Sequence, residues 1–262
     1  IFRLGKFVRM IPHPVMMGFV NGLAIVIFTS QLGMFKRQGE WLEGNPLYVM
    51  IGLVLTTMFI IYVLPRFTNK IPAALTAIVV VSVIVIFGGV ETETVRSFIQ
   101  SNGGDGIQAG LPMFHFPTVA FTLETFQFIL PYAFILAAIG LIESLMTLNL
   151  IDELTDSHGN GNRECIAQGA ANTINGFFGG MGGCAMIGQS IINIKSGGRG
   201  RLSGITAALA LLGFILFGSN LIEQVPIAAL VGVMFMVVIG TFAWSTFKVV
   251  NKVPKPDVIV IL

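Results

Sequence analysis

The chain of 262 residues is 54% hydrophobic and only 11% charged, with a formal net charge of +2 and a mean hydropathy of +0.85. Soluble domains carry about 25% charged residues, so the composition excludes an ordinary soluble enzyme and places the chain in a bilayer. No nucleic-acid partner is expected, and no nucleophile, base and orienting group cluster within the apolar runs as a catalytic site would require.

Those runs are roughly 18 to 22 residues long, the length a helix needs to cross the hydrocarbon core. Seven complete spans are predicted at residues 14–32, 47–64, 71–89, 126–150, 165–181, 202–222 and 226–247, and an eighth opens at Val258. That last run stops after five residues, at Leu262, so the chain is expected to be part of a longer protein. The connector at 90–123 carries Glu91, Glu93 and Asp105 around the turn-rich Ser101-Asn-Gly-Gly-Asp-Gly106 and is predicted to be solvated. His115 sits there between Phe114 and Phe116; a proton sensor is one reading, an exposed or capping side chain the commoner one.

Between the fifth and sixth spans, residues 182–196 have too little apolar length for a full crossing, and glycine breaks their start. An extended lead-in followed by a half-helix from Ala185 to Lys195 is predicted. Counted as one crossing, this segment leaves 12 of the 15 basic residues on the side of the N-terminal end and only Lys36, Arg37 and Arg96 on the other. That is the asymmetry of positive-inside topology, with the N-terminal end cytoplasmic. Without the crossing, the six basic residues from Lys195 to Lys255 change sides and the asymmetry is lost.

Glu143 lies well inside a span, in Ala137-Ala-Ile-Gly-Leu-Ile-Glu-Ser-Leu-Met-Thr147. A charge at that depth costs about 3 kcal/mol on insertion scales, so it must face a cavity or a partner. Gly140 and Thr147 fall on the same helical face. A carboxylate, a hydroxyl and an approachable backbone make a half-site for Na⁺, whose ligands are oxygens, or for a proton carried by Glu143. If the carboxylate is instead only paired within the bundle, Gln189 is the nearest partner by type.

The second constellation is Gly176-Phe-Phe-Gly-Gly-Met-Gly-Gly-Cys-Ala-Met-Ile-Gly-Gln-Ser190. Glycine at this density cannot sustain a helix, and irregular backbone in a membrane is tolerated only where it lines a cavity. The half-helix therefore starts near mid-bilayer, and the N–H groups around Ala185 to Gly188 have no intrahelical partners and carry the positive end of the dipole. Such an end binds anions. Glycine packing between close helices is the bland alternative and accounts well for Gly176 and Gly180. Asn172, Asn175 and Asn193 are expected as interhelical hydrogen-bond glue, and Cys165 and Cys184, without metal-ligand spacing, as small apolar helix residues. The run Lys195-Ser-Gly-Gly-Arg-Gly-Arg201 lacks the order of a phosphate-binding loop.

The ordered motifs Gly140-Leu-Ile-Glu-Ser-Leu-Met-Thr147, Asn162-Arg-Glu-Cys-Ile-Ala-Gln-Gly169, Gly179-Gly-Met-Gly-Gly183 and Asn193-Ile-Lys-Ser-Gly-Gly-Arg-Gly-Arg-Leu-Ser-Gly204 resemble the sulfate permease (SulP) family of anion transporters. Phe7-Val-Arg-Met-Ile-Pro-His-Pro-Val-Met-Met-Gly-Phe-Val-Asn-Gly22 is similar to the opening of that family's fifth span. The resemblance covers essentially the whole chain. It implies an all-α polytopic membrane protein with two inverted seven-span repeats, of which this chain holds spans five to twelve, the start of thirteen and one discontinuous half-helix. It further implies that residues 1–90 are gate of the first repeat, 126–222 core of the second and 226–262 its gate.

By the same resemblance, Glu143 matches the acidic residue of the eighth span and Thr147 the hydroxyl that assists it in sodium-coupled bicarbonate members. Ala185, Met186, Ile187, Gly188 and Gln189 match the start of the tenth span, where backbone amides meet the anion. Gln189 replaces an Arg found in many relatives, and Ile187 a Thr found in some bicarbonate carriers. The implied partners are a small inorganic anion, membrane lipid, a second copy in a homodimer and a STAS domain outside the chain. No cofactor is expected beyond Na⁺ as coupling ion, and the implied location is a bacterial inner membrane. The function expected is symport of bicarbonate or sulfate with Na⁺ or H⁺. Its rivals are a proton-coupled nucleobase carrier of the same architecture and an anion channel.

Overall fold

A computed structural model describes residues 13–37, 40–68, 71–107, 110–195 and 197–249. The apolar runs form helices α1 (His13–Leu32), α2 (Asn45–Phe67), α3 (Ala73–Gly88), α5 (Leu123–Thr155), α8 (Gly200–Glu223) and α9 (Ile227–Thr241). Shorter or more polar stretches form α4 (Val95–Ser101), α6 (Gly161–Phe177), α7 (Ile187–Lys195) and α10 (Thr246–Val249). A two-stranded antiparallel hairpin, β1 (Lys36–Arg37) with β2 (Glu40–Trp41), follows α1. The Lys36 ammonium caps it over the Trp41 ring at 4.7 Å, a cation–π contact. Among the described residues, four helices are long and apolar enough to cross a membrane, and α3 and α9 are shorter apolar helices.

The chain divides into two compact units, one of residues 111–208 and one of residues 13–110 with 209 onward. In the second, α9 packs on α1, α2 and α3, and Met50, Leu53, Val54, Val81, Val85, Ile227, Ala228 and Val231 form its core. Gly232 permits the close approach of α9 to α2: a Cβ there would stand 2.7 Å from the Thr57 Cβ. The predicted span at 226–247 is helical only to Thr241, after which the backbone breaks before α10. Asn21 on α1 holds the break, accepting from the Ala243 N–H at 2.9 Å and donating to Thr246 Oγ1 at 2.9 Å.

The connector at 90–123 is more ordered than its composition predicts, because it contains α4, opened by a reciprocal Thr94–Ser97 capping box. Main-chain bonds from Val95 to Val225 (3.0 Å) and from Ile227 to Glu93 (2.9 Å) tie it to the corner between α8 and α9. Glu223, at the end of α8, accepts from the Ile107 N–H at 2.6 Å and lies 3.9 Å from the exposed Arg96 guanidinium.

In the other unit, α5 packs on α6 and α7. Helix α5 runs beyond the predicted 126–150 at both ends, with Thr122 as its N-cap. The span predicted at 165–181 begins earlier, where Asn160 caps α6, and ends earlier, at Phe177. His115 is exposed; its backbone N–H bonds the Phe177 carbonyl at 2.7 Å, while Phe114 stacks on the Phe177 ring and Phe116 meets it at a tilt. That places His115 as a cap on the end of α6. The expected span opening at Val258 and the first part of the 7–22 motif lie outside the described residues.

Candidate functional site

Four residues of α5 at helical spacing, Gly140, Glu143, Ser144 and Thr147, form one face, as the 3.6-residue period dictates. Opposite them runs a non-helical segment, residues 179–186, leading into α7. Gly179 turns the chain with φ of 73°, a left-handed conformation in which glycine carries no side-chain penalty. Gly180 lies against the Asn175 carboxamide, where any Cβ would collide. Gly180 thus answers to a side chain of its own neighbourhood, while Gly176 has nothing within 4 Å of where its Cβ would be among the described residues. Gly179 serves the turn and Gly180 the approach of the Asn175 side chain to the backbone.

Extended backbone inside a membrane needs partners for its N–H and C=O groups, and here two helices provide them at Met181, Gly183 and Ala185. From α6, Asn172 exchanges two bonds with Gly183, accepting from its N–H at 2.8 Å and donating to its carbonyl at 2.9 Å. Asn175 donates to the Met181 carbonyl at 2.5 Å. From α5, Ser144 Oγ accepts the Ala185 N–H at 3.1 Å, and the Thr147 hydroxyl donates to the Ala185 carbonyl at 2.8 Å. Asn172 and Asn175 thus act within the broken crossing, while Asn193 meets Ser203 across the turn from α7 to α8.

The half-helix accordingly starts at Ile187 and not at Ala185. Ala185 is held extended because both its polar backbone groups are taken by α5. The N–H groups left without intrahelical partners are those of the first turn, around Ile187, Gly188 and Gln189, since the Ser190 N–H already reaches the Met186 carbonyl at 3.2 Å.

Glu143 is partly buried, and Ser144 and Thr147 behind it are 1% and 3% exposed. The partner of the carboxylate is the thiol of Cys184, which donates to Glu143 Oε2 at 3.0 Å. Cys184 is therefore a polar contact in extended backbone, not a small helix residue, whereas Cys165 does lie in α6. Gln189, the partner chosen by side-chain type, is exposed. Gly140 lies beside the segment, where a Cβ would stand 3.7 Å from the Cys184 Cβ, an ordinary contact.

Sequence reading thus places Glu143, Thr147 and Ala185 together, and misses Ser144 and Cys184. Ser144 was legible in part, since it is i+4 from Gly140 and i−3 from Thr147. Nothing in the spacing of Cys184 shows its partner, which lies 41 residues away. The oxygens of Glu143, Ser144 and Thr147 are a hard donor set, the type suited to alkali and other hard cations. The open first turn of α7 is suited to an anion.

The model of the Sulfate permease family matches residues 1–262. YbaR of Bacillus subtilis, provisionally named a sulfate transporter, is 45% identical over 262 residues, 100% of this chain and 52% of its own length. The bicarbonate transporter BicA of Synechocystis sp. is 33% identical over 264 residues, 95% of this chain and 45% of its own. The solved transmembrane domain of a cyanobacterial bicarbonate transporter BicA superposes with a TM-score of 0.80 at 31% identity, covering 99% of this chain and 67% of that one. The chain spans about half the length of the curated relatives it matches.

Proposed function

The chain belongs to the sulfate permease family, with the fold of its inverted-repeat transporters, and from that premise we propose that the whole protein carries a small inorganic anion, bicarbonate or sulfate, by secondary transport coupled to Na⁺ or H⁺. It is an integral, multi-pass membrane protein, and its family and relatives are transporters, not enzymes. The observation that carries the reading is that Glu143 meets Cys184, on the α5 face whose Ser144 and Thr147 hold Ala185, in the segment that opens α7. A carboxylate and an incoming anion repel in a low-dielectric cavity. A Na⁺ or proton on Glu143 removes that repulsion, so the anion and the cation bind together.

In this scheme the anion rests on the amides of Ile187, Gly188 and Gln189, with the exposed Gln189 carboxamide as a neutral donor. The cation is held by Glu143 with the free lone pairs of Thr147, whose proton is committed to Ala185. Alternating access follows from rocking of the core part of the repeats against the gate part, with residues 126–222 as core and 1–90 and 226–262 as gate. The protein would act as a homodimer, with lipid around its spans.

The test is radiotracer uptake of bicarbonate and of sulfate by the full-length protein in proteoliposomes, under a Na⁺ gradient, a pH gradient or neither. Gradient-driven accumulation is expected for the wild type and its loss for Glu143→Gln. Equal accumulation by the two would remove the coupling role of Glu143. Competition by uracil or xanthine in place of the anions would instead indicate a nucleobase carrier.

A further inference from the structure

Among the described residues, the one side-chain hydrogen bond to the Glu143 carboxylate comes from Cys184. The next residue, Ala185, is pinned at both backbone groups by Ser144 and Thr147, and α7 begins two residues later. Three contacts from one α5 face therefore converge on two consecutive residues at the approach to α7. A thiol is a weak, monovalent donor, strong enough to occupy an oxygen and weak enough to be displaced by a cation.

We infer that Cys184 is a positioning residue for the coupling cation: its thiol holds Glu143 Oε2 until the cation displaces it, which frees residue 184 from α5 just ahead of the clamped Ala185. The inference deepens the reading of Glu143 as the cation residue and rests on it. With the cation absent, the thiol ties residue 184 to α5. With the cation on Glu143, that tie is released while Ala185 stays clamped, so the segment ahead of α7 pivots at one residue. The sulfur is a soft ligand and takes no share in holding Na⁺. The cation thus competes with a hydrogen bond, and its apparent affinity is set in part by how strong that bond is.

This gives an ordering that a purely structural role does not produce. Cys184→Ala removes the competitor and should lower the cation KM by about threefold or more. Cys184→Ser supplies a stronger donor to a charged acceptor and should raise it by a similar factor. The two variants therefore move in opposite directions. The second measurement is the rate at which methyl methanethiosulfonate modifies Cys184 in the full-length protein, followed by mass spectrometry of the peptide that carries it. A thiol whose proton is held by a carboxylate reacts slowly, because the thiolate is the nucleophile.

Added Na⁺ at fixed pH should speed modification in the wild type and leave the already higher rate of Glu143→Gln unchanged; if H⁺ couples, lowering the pH should slow Glu143→Gln with its thiolate fraction and slow the wild type less. Rates that match in wild type and Glu143→Gln across all Na⁺ concentrations and pH values would overturn the inference, as would a cation KM that both substitutions shift the same way. Labelling does not depend on transport. Cation-independent uptake would sink the coupling reading and the inference with it, whereas cation-driven uptake lost in Glu143→Gln, with labelling that ignores the cation, would overturn the inference alone.

Discussion

A carboxylate within a membrane-crossing helix must be met by a donor, a cation or water, at a cost of about 3 kcal/mol if it is not. Glu143 meets a thiol, and the two hydroxyls beside it on the same face are spent on the backbone of Ala185. Thr147 should therefore act through its hydroxyl and not through its volume. Thr147→Val leaves the Ala185 carbonyl without its donor, a loss of about 1–3 kcal/mol for a buried group. Anion uptake should fall at least tenfold, whereas Thr147→Ser should retain most of it. Initial uptake rates at matched expression would check this, and equal rates for the Val and Ser variants would refute it.

Both chain breaks among the described elements are held by an asparagine from a neighbouring helix. Asn172 of α6 bonds Gly183 twice ahead of α7, and Asn21 of α1 bonds Ala243 and Thr246 between α9 and α10. An asparagine carries a donor and an acceptor on one planar group, so it can replace the two bonds that a helical turn would have made. Asn172→Leu removes both from Gly183 and should lower the thermal midpoint of the detergent-solubilised protein by several degrees. Proteolytic or exchange protection of residues 181–186 should be lost at the same time. Asn172→Asp retains the acceptor alone and should fall between. A midpoint unchanged in Asn172→Leu would show that the segment has other support.

At the scale of the whole molecule, large apolar side chains such as Phe59, Phe87, Phe134 and Phe217 are exposed, as expected for surfaces that meet lipid or further spans of a longer protein. The basic residues give this a direction that can be tested. With the N-terminal end inside, Ser101→Cys should be modified by an impermeant maleimide added to intact cells, and Ser157→Cys only after the membrane is opened. Modification of Ser157→Cys in intact cells would invert or break the topology.

The membrane setting, the family, the existence of a broken crossing and the place of Glu143 inside a long apolar helix were all legible in the sequence. The family rests on the resemblance of several ordered motifs, and the rest follows from local quantities: apolar run length, glycine density, the side on which Lys and Arg accumulate, and an ionisable residue within a span. The helix boundaries moved where side chains from elsewhere took over backbone bonds. Ala185 is extended because Ser144 and Thr147 claim both its groups, and α6 stops at Phe177 where Asn175 and the glycines turn the chain. The pairing of Cys184 with Glu143 and of Asn172 with Gly183 came only from the tertiary structure. Hydrogen bonds between distant residues depend on which helix faces are brought together, and no periodicity along the chain records that.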